Sequence, residues 1–260
     1  MFLPLRMNTA SLHHGLGAAL LALALTLTLT LALALAMLER EQIIDFNGHF
    51  SARLPAAGGI EGMLINAGDS VRSRIHDEDF IAIDFDGRPL DGPRLPPMEF
   101  HLHAQIYKAR PDVRAVVHTH PRWSTVLSTA GQAWQPVTMQ AAVLGPVATF
   151  PKTASINSAA LGAEVAAFLG GGKAALMHRH GAVSVAASVE VAFVQAVYLE
   201  DNAQRQHQAL QIGTPQALTA DECAYIGGNL SRPALLRKVW AYHLGKHFPQ
   251  ALGAATKELG

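Results

Sequence analysis

Two apolar runs, each ending in a His-X-His pair, restrict the fold of this chain more than any other feature. Arg114-Ala115-Val116-Val117-His118-Thr119-His120 is stopped by Pro121, and Ala174-Ala175-Leu176-Met177 leads into His178-Arg179-His180-Gly181. Short apolar runs bounded by breakers read as strands buried in a sheet. Side chains on a strand alternate between faces, so residues two apart share one. His118 and His120 therefore aim at one point, and the same reasoning sets His178 beside His180. Two imidazoles on a rigid strand are half of a metal site suited to Zn, Fe, Mn or Co. The competing reading is one core histidine and one exposed one. Three histidines from two strands leave coordination positions open, as catalytic sites require. Gly181 lets the backbone turn tightly there.

The other segments supply partners for such strands. Met63-Leu64-Ile65 and Phe80-Ile81-Ala82-Ile83 read as strands, the second followed by the turn pair Asp86-Gly87. Pro96-Pro97 opens a helix over residues 98–110, and Gly131 ends one over 123–129. Residues 143–150 read as a strand with a turn at Gly145-Pro146. A helix over 158–169 stops at Gly170-Gly171-Gly172, which no Lys-Ser/Thr pattern follows, so it is no phosphate loop. Ser188 caps a long helix through Leu210 with an apolar stripe of Val191, Val194, Val197 and Tyr198. Thr219 and Glu222 form a capping box, and a last helix spans 233–247. Strands and helices mixed around a buried sheet make an α/β sandwich.

The N-terminal stretch stands apart. Residues 16–38 carry no charge, and 20–35 are almost only Leu, Ala and Thr. That length suffices to span a bilayer, and Arg6 supplies a signal peptide's positive region. The segment also reads as a first helix continuing into Met37-Leu38-Glu39-Arg40-Glu41, or as translation begun upstream of Met7 or Met37. We divide the chain into this apolar segment, 1–38, and a domain over 39–260 that includes C-terminal helices. A cytoplasmic location is expected, with export or membrane anchoring through 16–38 as the alternative.

Composition narrows the function. Charged residues are 15% of the 260, against about 25% in an average globular chain, and the formal net charge is zero. This excludes an electrostatic nucleic-acid binder. The single cysteine, Cys223, rules out an intramolecular disulfide framework and suits a reducing compartment. Thirteen histidines are the first sign of chemistry.

Glu99 opens the helix that precedes the His118 strand and shares a helix face with His103. It reads as a ligand, a base, or a solvated carboxylate complementing the helix dipole. Pro97-Met98-Glu99-Phe100-His101-Leu102-His103 and Ile106 to Pro121 resemble the class II aldolase/adducin family. So do Asn47-Gly48-His49-Phe50-Ser51-Ala52-Arg53, Met177-His178-Arg179-His180-Gly181-Ala182 and Tyr198-Leu199-Glu200-Asp201-Asn202-Ala203. The four separated motifs occur in family order across residues 38–228. The resemblance implies a three-layer α/β/α sandwich around a mixed, mostly antiparallel sheet. It implies His118, His120 and His180 as ligands of a divalent metal, zinc first, with Mn, Co or Fe as alternatives. Glu99 matches the family's acid/base, which also ligates the resting metal, and His178 falls in the second shell. Gly48 and His49 are the substrate-binding positions. The small-molecule site is completed in a homo-oligomer, a tetramer.

Two departures bear on substrate. Pro97 and Met98 stand where sugar-phosphate aldolases carry small hydroxyl residues, and Gly48-His49 replaces a Gly-Asn pair. Both point from phosphorylated sugars toward aldolases and decarboxylases of hydroxylated or aromatic acids. The function read here is a metal-dependent carbon–carbon lyase acting through a metal-stabilised enolate. Its rivals are a non-catalytic adducin-like domain, a sugar-phosphate epimerase and a three-histidine iron oxygenase. A Glu99 proton shuttle needs a pKa nearer neutrality than usual. Arg53 reads as a bidentate carboxylate grip or as a surface ion pair.

Overall fold

The computed structural model describes residues 18–55 and 61–251. Arg6, Met7 and Leu16 lie outside them. In chain order the described residues form α1 (Ala18–Arg40), β1 (His49–Arg53), β2 (Gly62–Asn66), β3 (Phe80–Asp84), α2 (Phe100–Ala109), β4 (Ala115–Thr119) and α3 (Arg122–Thr129). They continue as β5 (Ala148–Phe150), α4 (Ala159–Leu169), β6 (Ala174–Met177), β7 (Gly181–Ala186), α5 (Val189–Ile212), α6 (Ala220–Leu230) and α7 (Pro233–His247). The strands make one sheet in the order β3-β2-β1-β4-β7-β6-β5. Every pairing is antiparallel except β5 with β6. Helices cover both faces, so the mixed three-layer sandwich expected from the sequence is what forms.

Strand alternation sorts the core. Phe50, Ala52, Ala115 and Val117 meet α1, α5 and α7 through Leu35, Leu38, Phe193 and Leu244. Met63, Ile65, Val116, Val183 and Val185 meet α2 and α4 through Leu102, Ile106 and Val165. Burying a side chain such as Leu35 or Leu38 in full stabilises by roughly 1.5–3 kcal/mol. The apolar N-terminal stretch is thus one helix, and the division expected at Leu38 falls inside it. Leu23–Arg40 is long and apolar enough to cross a bilayer, yet Leu31, Ala34, Leu35, Met37 and Leu38 are wholly buried against protein. Pulling them out would uncover one sheet face. At its C-terminal end, Glu41 Oε1 meets His243 Nδ1 at 2.7 Å, His247 Nε2 at 2.6 Å and Lys246 Nζ at 2.8 Å, tying α1 to α7.

Three local expectations change. Only Ala148–Phe150 of the expected 143–150 strand pairs; Val143 instead ends a 3-10 turn, and Gly145 has φ +70°. The run was too short for its period to decide. On α5 the buried residues are not a narrow stripe: Ala192, Phe193, Val194, Gln195, Ala196 and Leu199 are buried, while Val191, Val197 and Tyr198 are half-exposed. The helix is packed on more than one side, so polar positions count as core. Its Glu200 accepts from the Trp123 and Ser124 amides and the Ser124 hydroxyl at 2.6, 3.0 and 2.8 Å, closing the N-terminus of α3. Asn202 Oδ1 accepts from the Val137 and Thr138 amides. The motif around Glu200 is therefore structural.

Candidate metal centre

The register of β4 sets the site. His118 pairs with His49 on β1 and with Val183 on β7. It lies on the same face as Val116, the α2 side, and His49 and Ser51 share that face one strand over. His120 follows just past the strand end. His180 arrives differently from the expectation, because β6 ends at Met177 and residues 178–180 form a turn. Arg179 takes the left-handed conformation, φ +57°, so strand alternation does not apply to His178 and His180. His178 turns to Thr153 Oγ1, 3.2 Å away. The tight turn expected at Gly181 is made by Arg179; Gly181 is needed for space. A Cβ there would collide with the Thr119 carbonyl and sit 3.1 Å from His120 Cδ2 and 3.3 Å from His118 Cε1.

Glu99, His118, His120 and His180 each offer a ligand atom, all within 4.8 Å of one another. Hydrogen bonds elsewhere fix which nitrogens face inward. His118 Nδ1 lies 3.0 Å from the Ala182 carbonyl, so it carries the proton and leaves Nε2 bare. His120 Nδ1 lies 3.3 Å from Asp45 Oδ1, which orients its ring in the same sense. The two Nε2 atoms then face each other at 3.0 Å with neither supplying a proton. His180 Nε2 is 3.6 Å from Glu99 Oε1, and its buried Nδ1 has no partner among the described residues. Converging lone pairs beside a carboxylate fit a divalent cation. Burial holds His118 well below the usual imidazole pKa and lowers His120 too, keeping both in the neutral form a cation requires.

Glu99 departs from the sequence reading twice. It is the N-cap of α2, yet its carboxylate caps nothing. Oε1 instead accepts from Ser155 Oγ at 2.9 Å and the Ile156 amide at 2.6 Å. Its pKa is not near neutrality. Burial pushes it up, but the His49 N–H and the polar imidazoles of His118 and His180 around it outweigh that and hold it well below the carboxylate range.

His49 Nε2 lies 3.5 Å from Glu99 Oε2, inside the centre but outside the ligand set. Gly48 has φ +104°, and its carbonyl accepts from the buried Arg72 Nε at 2.6 Å, which fixes the approach to His49. Arg53 does not face a substrate. Its buried guanidinium donates to the Val113, Tyr107 and Arg110 carbonyls and meets Glu61 at 3.4 Å. Asp45, Arg72, Ser155 and Ile156 were not foreseen. Asp45, Ser155 and Ile156 act from loops and Arg72 from a single 3-10 turn, where no periodicity marks a residue. Two surface clefts, of about 770 and 600 Å³, are lined by none of Glu99, His118, His120, His180 and His49.

Fold and site together define an α/β sandwich with a cluster of three histidines and one carboxylate, able to hold a cation, between its central strands and α2. Residues 30–207 match the family model described as Class II Aldolase and Adducin N-terminal domain, and the chain belongs to that family. It is 34% identical over 169 residues to the 5-methylthioribulose-1-phosphate/5-deoxyribulose-1-phosphate aldolase of Rhodospirillum rubrum, covering 62% of this chain and 73% of that one. It is 31% identical over 169 residues to the 3,4-dihydroxyphthalate decarboxylase of Arthrobacter keyseri, covering 59% and 66%. The L-fuculose 1-phosphate aldolase of Glaciozyma antarctica PI12 shares the fold at TM-score 0.74 and 21% identity, over 94% of this chain and 99% of that one. The relatives at this level are lyases.

Proposed function

We propose that this chain is a divalent-metal carbon–carbon lyase, an aldolase or a decarboxylase, acting on a hydroxylated carbonyl or carboxylic acid. Zinc is the ion we assign first. The observation that carries this is the set of inward-facing imidazole nitrogens of His118, His120 and His180 within reach of an ionised Glu99. A cation held there supplies Lewis acidity to the oxygen on which negative charge collects as the C–C bond breaks. Glu99 Oε1 is anchored by Ser155 and Ile156, while Oε2 has imidazole neighbours at 3.5 Å. Oε2 is therefore the oxygen free to move a proton, once Glu99 turns from the imidazoles that hold its pKa down toward the substrate. His49 hydrogen-bonds the substrate's second oxygen.

Pro97 and the exposed Met98 offer no hydroxyl to a phosphate beside Glu99, which favours a non-phosphorylated substrate. We further propose that the site is completed in a homo-oligomer, a tetramer. Phe46 and Met98 flank Asp45 and Glu99 in sequence and are 82% and 74% exposed, an apolar rim beside a polar centre.

The test is turnover of zinc-loaded protein against hydroxy-keto acids, dihydroxyaromatic acids and sugar phosphates, with and without chelator. Chelator-sensitive release of CO₂ assigns a decarboxylase; release of an aldehyde assigns an aldolase. Loaded protein inactive on all three classes would point to a binding domain.

A further inference from the structure

Behind the centre runs a chain of buried hydrogen bonds that the reaction as described does not use. His49 Nδ1 lies 2.7 Å from His103 Nε2, and His103 Nδ1 lies 2.6 Å from Ser51 Oγ. Ser51 Oγ lies 2.8 Å from the Tyr107 hydroxyl and 3.5 Å from the Val116 carbonyl. His49 is 4% exposed and His103, Ser51 and Tyr107 are at most 1% exposed, so the chain is shielded from bulk water. We propose that His103 and Ser51, with Tyr107 behind them, are positioning residues that fix His49 as its Nε2–H tautomer. His49 is thereby an obligate hydrogen-bond donor in the centre, rather than a base or a further ligand.

Counting protons gives the direction. Each neutral imidazole has one N–H and one acceptor nitrogen, and each hydroxyl has one proton. In one direction Tyr107 donates to Ser51, Ser51 to His103 Nδ1, His103 Nε2–H to His49 Nδ1, and His49 Nε2–H to Glu99. Three of the four protons then meet an acceptor at hydrogen-bond distance, and the last points toward a Glu99 carboxylate oxygen 3.5 Å away. In the reverse direction His103 donates to Ser51, and His49 turns a lone pair toward that carboxylate. The Ser51 proton then goes to the Val116 carbonyl at 3.5 Å while Tyr107 still donates to Ser51, so what this direction leaves opposed is the His49 lone pair and the Glu99 carboxylate. A bare nitrogen facing a carboxylate oxygen is repelled where an N–H is attracted, so the first direction prevails.

The consequence for catalysis rests on the lyase reading above. A donor locked by His103 and Ser51 stays a donor when Glu99 turns to its substrate. It then holds an oxygen that gains negative charge, and it cannot swap roles with Glu99 by changing tautomer. The tautomer itself does not depend on that reading.

The decisive experiment is nitrogen-15 NMR of histidine side chains in the zinc-loaded protein, with the His49 signals assigned by loss in His49→Asn. The expected spectrum has protonated Nε2 and bare Nδ1 on both His49 and His103. A protonated Nδ1 on His49 overturns the proposal. Ser51→Ala removes the proton that sets His103, and is expected to give mixed His49 tautomers and a kcat lowered about tenfold, with KM and zinc content kept. Tyr107→Phe leaves the Ser51 proton in place and should keep the His49 tautomer. Unchanged His49 signals in Ser51→Ala also overturn the proposal; if that variant does not fold, the wild-type spectrum decides alone. Absence of lyase turnover with the expected spectrum would remove the function reading and leave the tautomer assignment standing.

Discussion

Gly181→Ala tests the geometry of the centre without knowledge of the substrate. The added Cβ would overlap the Thr119 carbonyl oxygen and press on His118 Cε1 at 3.3 Å and His120 Cδ2 at 3.1 Å. An ordinary carbon–oxygen contact lies near 3.3–3.6 Å, so the Thr119 carbonyl must retreat by about 1 Å. That carbonyl belongs to β4 opposite Ala182 of β7, in the middle of the sheet, where backbone has little room to give. Overpacking of this kind costs about 1–3 kcal/mol, and a backbone clash belongs at the upper end. The strand that moves carries His118 and leads to His120, so the ligands splay. Disturbing the groups that orient a metal's ligands weakens binding by about 10–100-fold. Stability is read from urea unfolding of chelated protein, and zinc affinity from competition with a chromophoric chelator. Gly171→Ala, which meets open space, is the control. Unchanged midpoint and zinc affinity in Gly181→Ala would refute the packing of β7 against the histidines.

Further predictions concern stability and chemistry. Glu200→Ala strands three donors at the start of α3 and should cost about 2–4 kcal/mol in urea unfolding; a cost under about 1 kcal/mol would show that the cap is dispensable. Burial raises Asp91 from 3.8 to about 6, ahead of the lowering effect of the Ala82 amide. Stability from its protonated form is thus full below pH 3.8 and lost as pH rises through about 6. Asp91→Asn should therefore gain about 1–3 kcal/mol at pH 8 and nothing at pH 3, by melting at both values. Burial would raise Glu41, but the bonds from Lys246, His247 and His243 prevail and lower it from 4.5 to about 2. Its stabilisation is present above pH 4.5 and lost as pH falls through about 2, and Glu41→Gln should remove that part of the acid unfolding limb. Glu99→Gln should keep most of the zinc and lose turnover; full activity would take Glu99 out of the mechanism.

Much of the sheet was legible because apolar runs such as Val116-Val117 and Ala174 to Met177 sit between breakers, and the helices because Ser158, Ser188 and Thr219 cap them. β1 was recognisable only as a motif. Its alternation sets Phe50 and Ala52 against His49, Ser51 and Arg53, the pattern of a half-exposed strand, yet its polar side is buried under α2. A strand that spends one face on function looks like a surface strand. That His118 and His120 approach one another followed from period two, although His120 lies just past the end of β4. The direction of His180 did not, since it depends on the left-handed turn at Arg179, which carries no glycine to announce it. Arg53 looked like a carboxylate grip because sequence does not show that three main-chain carbonyls surround it.

The central claim is that one divalent cation sits between His118, His120 and His180. Anomalous X-ray scattering at the zinc edge, from crystals of zinc-loaded protein, tests it most directly. The account predicts one peak per chain within about 2.0–2.1 Å of an imidazole nitrogen of each of the three, absent in His118→Ala. A centre without a peak in fully loaded protein, or a peak indifferent to His118→Ala, would contradict it.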